Sequence, residues 1–213
     1  MRLASNGAPE GTLVIADEQT AGRGRAGRRW LTAQGSGLAA SIVLRPELPS
    51  SQIGHLALLG GIATAQAIES LCQLQPQLKW PNDVVVSLSS GNPLKVAGIL
   101  AETSTVLGLV DYVIVGIGIN LTDAAWPAGL ISRAGSVEGL TGRTVDAVGL
   151  LTELLASFAA RCAEVESGKI ANLLARWETL APSSRGATVE WSVGEIRRRG
   201  VTAGVDQEGA LLV

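Results

Sequence analysis

Histidine and cysteine are scarce in this sequence. Among 213 residues there is one histidine, His55, and there are two widely separated cysteines, Cys72 and Cys162. A single histidine excludes histidine-based zinc sites and argues against Ser-His-Asp triads and Cys-His dyads. The cysteines form no Cys-x-x-Cys motif, so we expect reduced thiols in the protein core. Catalysis by this chain is therefore expected to use other groups.

Net charge is also small. The 17 lysines and arginines oppose 19 acidic residues, which gives a net charge of -2. This balance argues against global electrostatic binding to nucleic acid or to acidic lipid, so any cationic site must be local. The longest apolar stretches, 53–68 and 106–121, are interrupted by His55, Gln66 and Asp111, which argues against a membrane span. We expect a soluble, cytoplasmic protein with neither a nucleic acid nor a membrane as partner.

A hydrophobic fraction of 46% is sufficient for a folded core. Apolar periodicity predicts helices at 52–71, with one buried face, at 146–167 behind an Asp146 cap, and at 170–180. Apolar, β-branched runs predict strands at 12–16, 38–44, 84–88, 96–104 and 111–120, and a turn is expected at 89–93. Short connections predict a mixed, mostly antiparallel sheet with helices, an α/β (α+β) fold.

A change of pattern follows Pro182. Short β-like runs at 187–193, 196–205 and 210–213 replace the helical periodicity. We therefore expect a main domain at 1–182 and a small, barrel-like β module at 183–213. About 30 residues are too few for an independent barrel, so this module is expected to be incomplete.

The segment from Gly22 to Trp30 alternates glycines with four arginines. Glycines allow the backbone to approach a ligand closely, and guanidinium groups suit phosphate and carboxylate oxygens. The pattern therefore favours anion or nucleotide binding. The same residues satisfy G-x-G-x-x-G through Gly22, Gly24 and Gly27, but no helix follows, which disfavours a dinucleotide-binding fold. A solvated basic loop is the alternative, and Trp30 argues against it.

Three further motifs carry polar or small residues at strand ends. Lys79-Trp80-Pro81-Asn82-Asp83 offers a cation, an aromatic platform, an amide and a carboxylate. Lys95 begins an apolar strand that contains Gly98, and its ammonium is expected in a pocket. The segment from Gly116 to Leu121, with Gly118 and Asn120, suits the close approach of a planar ring. Each motif taken singly also fits ordinary turns or packing.

The ordered set of Gln19, the Gly22–Trp30 segment and these three motifs resembles the biotin protein ligases, which are related to class II synthetases and lipoate ligases. The resemblance implies activation of biotin with ATP, in the presence of Mg²⁺, to give biotinyl-5'-adenylate. It also implies transfer of biotin to a lysine of a biotin carboxyl carrier protein of a biotin-dependent carboxylase. Family members often dimerise through the sheet, so a homodimer is an expectation. The resemblance covers the catalytic motifs and no helix-turn-helix motif, so we expect the non-regulatory type.

The resemblance also implies roles for individual residues. Lys95 and Arg23 would be catalytic, and Asp83 would assist the metal. Trp30 would cover the adenine side of the site. The residues expected to bind biotin or the adenylate are Gln19, Gly22, Arg23, Gly24, Arg25, Arg28, Trp30, Lys79, Asn82, Lys95, Gly98, Gly118 and Asn120.

The sequence departs from the family pattern at both ends. The family has an upstream Ser-Thr-Asn segment for the ureido ring of biotin, whereas this chain opens with residues that resemble the end of the following helix. The ureido site and one strand are therefore expected to be missing. One alternative, which this missing segment motivates, is a non-catalytic homologue that binds biotin or nucleotide. The other is a lipoate or octanoyl ligase of related fold, which the Gly22–Trp30 segment and the Lys79–Asp83 motif disfavour.

Overall fold

The computed structural model describes residues 1–89, 92–123, 130 and 132–213. Six strands form the main sheet. They are β1 (Leu13–Ala16), β2 (Gly37–Leu44), β3 (Pro76–Lys79), β4 (Asp83–Val86), β5 (Leu94–Val106) and β6 (Leu109–Asn120). Their order in the sheet is β1-β2-β6-β5-β4-β3, and every pair is antiparallel. The described parallel contact is one bridge between Lys95 and Ala134.

Five α-helices accompany the sheet within the described residues. They are α1 (Arg2–Ser5), α2 (Gly54–Cys72), α3 (Val137–Thr141), α4 (Ala147–Glu166) and α5 (Ile170–Leu180). Asp146 caps α4, as predicted, because its side chain accepts a hydrogen bond from the Val148 amide at 3.1 Å. The α+β fold with a mostly antiparallel sheet that the sequence predicts is confirmed.

Helix α2 lies at the centre of the hydrophobic core. The expectation that one face of this helix is buried was wrong, because its buried residues occupy all sides. The sheet covers one side of α2, while α4 and α5 cover the other. Gly60 and Gly61 allow close packing on the sheet, since a Cβ on Gly60 would lie 3.1 Å from Ile99 Cγ2. A helix enclosed in this way can be apolar all round.

The two faces of the main sheet have different environments. Along β6, Val113, Val115, Ile117 and Ile119 point into the helical core, as the two-residue period of a strand requires. The intervening positions face the other side, where Tyr112 and Ile114 join Ala4 of α1 in a small cluster. Beyond that cluster the second face carries the glycines of β5 and β6. This arrangement leaves that face open for a ligand.

The C-terminal residues form a separate antiparallel sheet of β7 (Arg185–Val193), β8 (Ile196–Val205) and β9 (Leu211–Leu212). It is an open three-stranded sheet in the described part of the chain. Its β8–β9 turn contacts α2, because Nε2 of the buried His55 lies 2.9 Å from the Gln207 carbonyl oxygen. Among the described residues, no helix has the length and hydrophobicity needed to cross a membrane.

Sequence patterns did not predict two short elements, β3 and α3. Strand β3 reads Pro-Gln-Leu-Lys, which has little β-branched or aromatic character, and it forms because β4 pairs with it. Helix α3 has five residues and is fixed by its Ser136 cap. The turn expected at 89–93 includes residues 90 and 91, which lie outside the described residues.

Candidate active site

A cleft of about 900 Å³ lies on the open face of the main sheet. Glycines of β5 and β6 form its floor, and the Gly22–Trp30 segment forms one wall. All the residues that the sequence proposes for the site line this one cleft. They are Gln19, Gly22, Arg23, Gly24, Arg25, Arg28, Trp30, Lys79, Asn82, Asp83, Lys95, Gly98, Gly118 and Asn120. Four segments far apart in sequence therefore converge at one place.

The Gly22–Trp30 segment folds back on itself as a loop. The Trp30 amide donates a hydrogen bond to the Gly22 carbonyl oxygen at 3.0 Å, and the Gly24 amide donates one to Arg28 at 2.7 Å. A Cβ on Gly22 would meet the backbone oxygen of Trp30, so glycine is required at this point of the loop. The loop thereby presents its arginines towards the cleft.

The Trp30 indole lies directly on the floor glycines. A Cβ on Gly118 would be 2.5 Å from Trp30 Cε2, and a Cβ on Gly98 would be 3.1 Å from Cζ3. The Lys95 ammonium lies 5.3 Å from the centre of the indole ring, within cation–π range. Gly116 remains uncovered by the indole, because the atoms nearest its Cβ position are Leu100 O at 3.5 Å and Ser41 Oγ at 3.9 Å. A planar group can approach the sheet over Gly116.

The two proposed catalytic cations are each paired with a carboxylate. The Lys95 ammonium forms an ion pair with Asp83, and Arg23 Nη2 lies 2.6 Å from Glu102 Oε2. Glu102 was not anticipated from the sequence. Strand periodicity is the signal that could have identified it, because Glu102 lies two and four positions beyond Leu100 and Gly98 on the same face of β5.

The side-chain amides at the site hold the backbone in place. Asn82 Nδ2 donates to the Ile99 carbonyl oxygen at 2.8 Å, and Asn120 Nδ2 donates to the Gly135 carbonyl oxygen at 3.0 Å. Gln19 Oε1 accepts a hydrogen bond from the Thr32 hydroxyl at 3.3 Å. Within the described residues, each of these amides therefore uses one of its two functional atoms in these hydrogen bonds.

Trp80 does not line the cleft, so its interpretation as an aromatic platform was wrong. Its indole Nε1 donates a hydrogen bond to the Gly209 carbonyl oxygen at 3.1 Å, in the β8–β9 turn. The Arg25 guanidinium lies 5.7 Å from the centre of the same indole. Trp80 therefore connects the C-terminal sheet with the loop, and the neighbouring Lys79 side chain remains exposed in the cleft wall.

Arg133 also lines the cleft and was not anticipated. Its backbone carbonyl oxygen accepts a hydrogen bond from the Lys95 amide at 2.8 Å, which places the 132–135 segment beside the site. No motif in the sequence indicated this position, because the contact joins segments that are distant along the chain.

Neither cysteine lines the cleft. Burial raises the pKa of the Cys162 thiol to about 12, with Glu166 and Glu10 adding to the effect, and burial also raises the pKa of Cys72. A buried thiol with a raised pKa is a poor nucleophile. In the described part of the chain, the functional groups that line the cleft are therefore cations, amides and two carboxylates.

A magnesium site made by the protein alone does not fit this donor set. Within the described ranges, no group of three or more histidines, cysteines or acidic residues is arranged to hold a metal ion. Asp83 supplies a carboxylate, which Lys95 already contacts. Magnesium commonly binds through one or two carboxylates together with substrate phosphates. The residues present therefore fit an ion that arrives with a nucleotide.

Comparison with known proteins identifies the family. The model of the biotin/lipoate A/B protein ligase family matches residues 2–120, which include the loop, Lys95 and the floor glycines. The chain belongs to this family. The chain is 36% identical to a Bacillus spizizenii protein named bifunctional ligase/repressor BirA, and the match covers 99% of this chain and 64% of that protein. It thus spans less than two thirds of the length of this relative.

Two further matches cover a larger share of the related protein. A Paracoccus denitrificans protein named biotin–[acetyl-CoA-carboxylase] ligase is 36% identical over 94% of this chain and 82% of that protein. The structure of biotin protein ligase from Aquifex aeolicus in complex with biotin and ATP superposes with a TM-score of 0.83. The two sequences are 30% identical, and the match covers 100% of this chain and 85% of the Aquifex aeolicus chain. The fold is thus that of a biotin protein ligase.

Proposed function

We propose that this chain is an ATP-dependent biotin protein ligase. It joins biotin to ATP to form biotinyl-5'-adenylate and then transfers biotin to a lysine of a biotin carboxyl carrier protein. The observation that carries the proposal is the convergence of the arginine loop, Lys95 and the floor glycines at a single cleft. A cationic wall above a flat floor suits a ligand with a carboxylate, phosphates and planar rings.

The first step requires no protein nucleophile. A biotin carboxylate oxygen attacks the α-phosphorus of ATP, a mixed anhydride forms, and the bond to the pyrophosphate leaving group breaks. The protein must hold the two anions together and stabilise the charge that develops at phosphorus. This requirement agrees with a cleft that presents cations while both thiols lie elsewhere.

Lys95 is the proposed main catalytic residue, with Arg23 beside it. The Lys95 ammonium would bridge the biotin carboxylate and the α-phosphate as negative charge accumulates. Arg23 would contact the same anions from the loop. Asp83, already in contact with Lys95, would orient the ammonium and lie near a nucleotide-borne Mg²⁺. When bound, that ion neutralises phosphate charge.

The remaining residues are proposed to position the substrates. Trp30 and Asn120 would contact adenine beside the floor glycines Gly98 and Gly118, and Gln19 would donate its free amide to the ligand. Other contacts are proposed for the loop and for the segment before β4, namely Gly22, Gly24, Arg25, Arg28, Lys79 and Asn82.

In the second step the ε-amine of a carrier lysine attacks the carbonyl carbon of the mixed anhydride. An amide forms, AMP leaves with the electron pair, and a proton is lost from the amine. The carrier is thus a macromolecular substrate. The cleft is open to solvent above Gly116, which gives such a lysine a route to the carbonyl carbon.

Mass spectrometry of the reaction products tests this proposal. The purified chain is incubated with ATP, Mg²⁺ and an equimolar mixture of biotin, lipoate and octanoate, with a carrier domain or with its Lys→Arg variant. We expect biotinyl-5'-adenylate in both reactions and a biotin adduct on the lysine-containing carrier alone. Lipoyl or octanoyl adducts, or a folded chain that gives no acyl-adenylate, would contradict the proposal.

A further inference from the structure

Glu102 lies in a cleft that is otherwise rich in cations. The described cleft lining carries several arginines and lysines and two carboxylates, Asp83 and Glu102. A carboxylate in an anion-binding cleft repels the ligand, so its presence calls for a compensating role. Glu102 is paired with Arg23 of the loop, and the Glu102 side chain is 27% exposed while that of Arg23 is 60% exposed.

The geometry of this pair leaves most of the guanidinium available. Arg23 uses Nη2 for a single 2.6 Å contact with Glu102 Oε2, and the described residues provide no other hydrogen bond to this guanidinium. Arginine has five N–H donors in a fixed fork. One edge of the fork is therefore held while the other donors remain free for an anion.

The two partners differ in how firmly the backbone holds them. Glu102 belongs to β5, where it pairs with Ile114 of β6 in the middle of the sheet. Arg23 belongs to the glycine-rich loop, whose own bridge joins Arg23 to Arg29. The ion pair thus connects the first half of the loop to a rigid strand. A ligand-binding side chain gains precision when a rigid element supports it.

We propose that Glu102 is a positioning residue that orients Arg23 towards the anionic substrate and holds the loop over the cleft. The inference rests on the proposed function and deepens it, because it names the residue that orients the Arg23 guanidinium in the site. Glu102 acts through Arg23 and does not itself touch the ligand.

A double-mutant cycle separates this role from a general structural one. Glu102→Ala is expected to raise the KM for ATP or biotin by about two- to fivefold, with kcat changed less than KM. Glu102→Gln retains an acceptor oxygen and is expected to recover part of the loss. In an Arg23→Ala background, Glu102→Ala should have almost no further effect, because the group through which it acts has been removed. Additive effects in the cycle, or a lower KM in Glu102→Ala, would overturn the proposal.

Limited trypsin digestion tests the same contact without any enzymatic activity. The loop contains several arginines, so its release increases cleavage between residues 23 and 30. Glu102→Ala should be cut in this window several-fold faster than the parent chain in the absence of ligand, at an unchanged melting temperature. Glu153→Ala, an exposed change on α4 outside the cleft, serves as the control and should match the parent chain.

The two assays distinguish the possible failures. Faster loop cleavage in a chain without ligase activity would refute the proposed function and retain the Glu102–Arg23 contact. Unchanged loop cleavage in an active chain would refute the role of Glu102 and leave the proposed function intact.

Discussion

Single glycines determine how closely Trp30 approaches the sheet. The indole rests on Gly118 and Gly98, and any side chain at Gly118 would occupy the same space as the ring. Gly116, two residues earlier on the same face of β6, has no such neighbour. The two glycines of the Gly-Ile-Gly segment therefore have different surroundings: the Trp30 indole packs on Gly118, whereas it leaves Gly116 uncovered.

Alanine substitutions at these two glycines should differ in their effect on stability. In Gly118→Ala the new Cβ lies 2.5 Å from Trp30 Cε2, so the indole must move. We expect the free energy of unfolding to fall by about 1–3 kcal/mol, as for other overpacked sites. Gly116→Ala, whose Cβ has 3.5 Å to its nearest neighbour, should change it by less than about 0.5 kcal/mol. Urea unfolding provides both values, and equal losses in the two variants would contradict this account.

Among the elements, the β8–β9 turn connects the C-terminal sheet to the rest of the chain through two side chains. The Trp80 indole donates a hydrogen bond to the Gly209 carbonyl oxygen, and the His55 ring contacts the Gln207 carbonyl oxygen. Gly209 packs closely as well, since a Cβ there would lie 2.7 Å from Leu58 Cδ1 of α2. Trp80 is also adjacent to Arg25, so this contact reaches the loop.

Trp80→Phe removes the indole donor and keeps an aromatic ring. The Gly209 carbonyl oxygen then loses its partner, which should lower the free energy of unfolding by about 1–2 kcal/mol. Amide hydrogen exchange should become faster in β8 and β9. Trp191→Phe, at a partly exposed position of β7, is the matched control and should leave exchange in β9 unchanged. Equal exchange in both variants would show that the Trp80 contact does not hold the turn.

The sequence patterns predicted the long elements and the short strands β1, β4 and β9, but they missed β3 and α3. The ranges 170–180 and 196–205 agree with α5 and β8, because sustained periodicity and a flanking glycine or proline define their ends. Strand β3 and helix α3 form through tertiary pairing and capping, which local patterns do not reveal. The order of the motifs along the sequence was enough to predict most of the residues that line the cleft. Glu102 was missed because its place in the cleft depends on the direction of its side chain, and Arg133 was missed because it lies in a distant segment. The direction of the Trp80 side chain is likewise determined by its packing against the β8–β9 turn.

At the scale of the whole molecule, the hydrophobic core and the cleft lie on opposite faces of the main sheet. One face packs on α2, whose other side is covered by α4 and α5, and the opposite face carries the cleft with its cations and glycines. Substitutions in the cleft can therefore alter activity while the core remains intact. The homodimer expected from the family resemblance and the cytoplasmic location expected from the composition stay predictions.

The most direct test of the central claim is single-turnover formation of biotinyl-5'-adenylate by the Lys95→Ala variant. The parent chain, in excess over ATP, should convert biotin to the adenylate in one exponential phase, measured by rapid quench and mass spectrometry. Lys95→Ala should react about a thousandfold more slowly, because it lacks the ammonium beside Asp83 and Trp30. Lys169→Ala, an exposed change outside the cleft, should match the parent chain. A near-parental rate in Lys95→Ala, or no adenylate from the parent chain, would contradict the account.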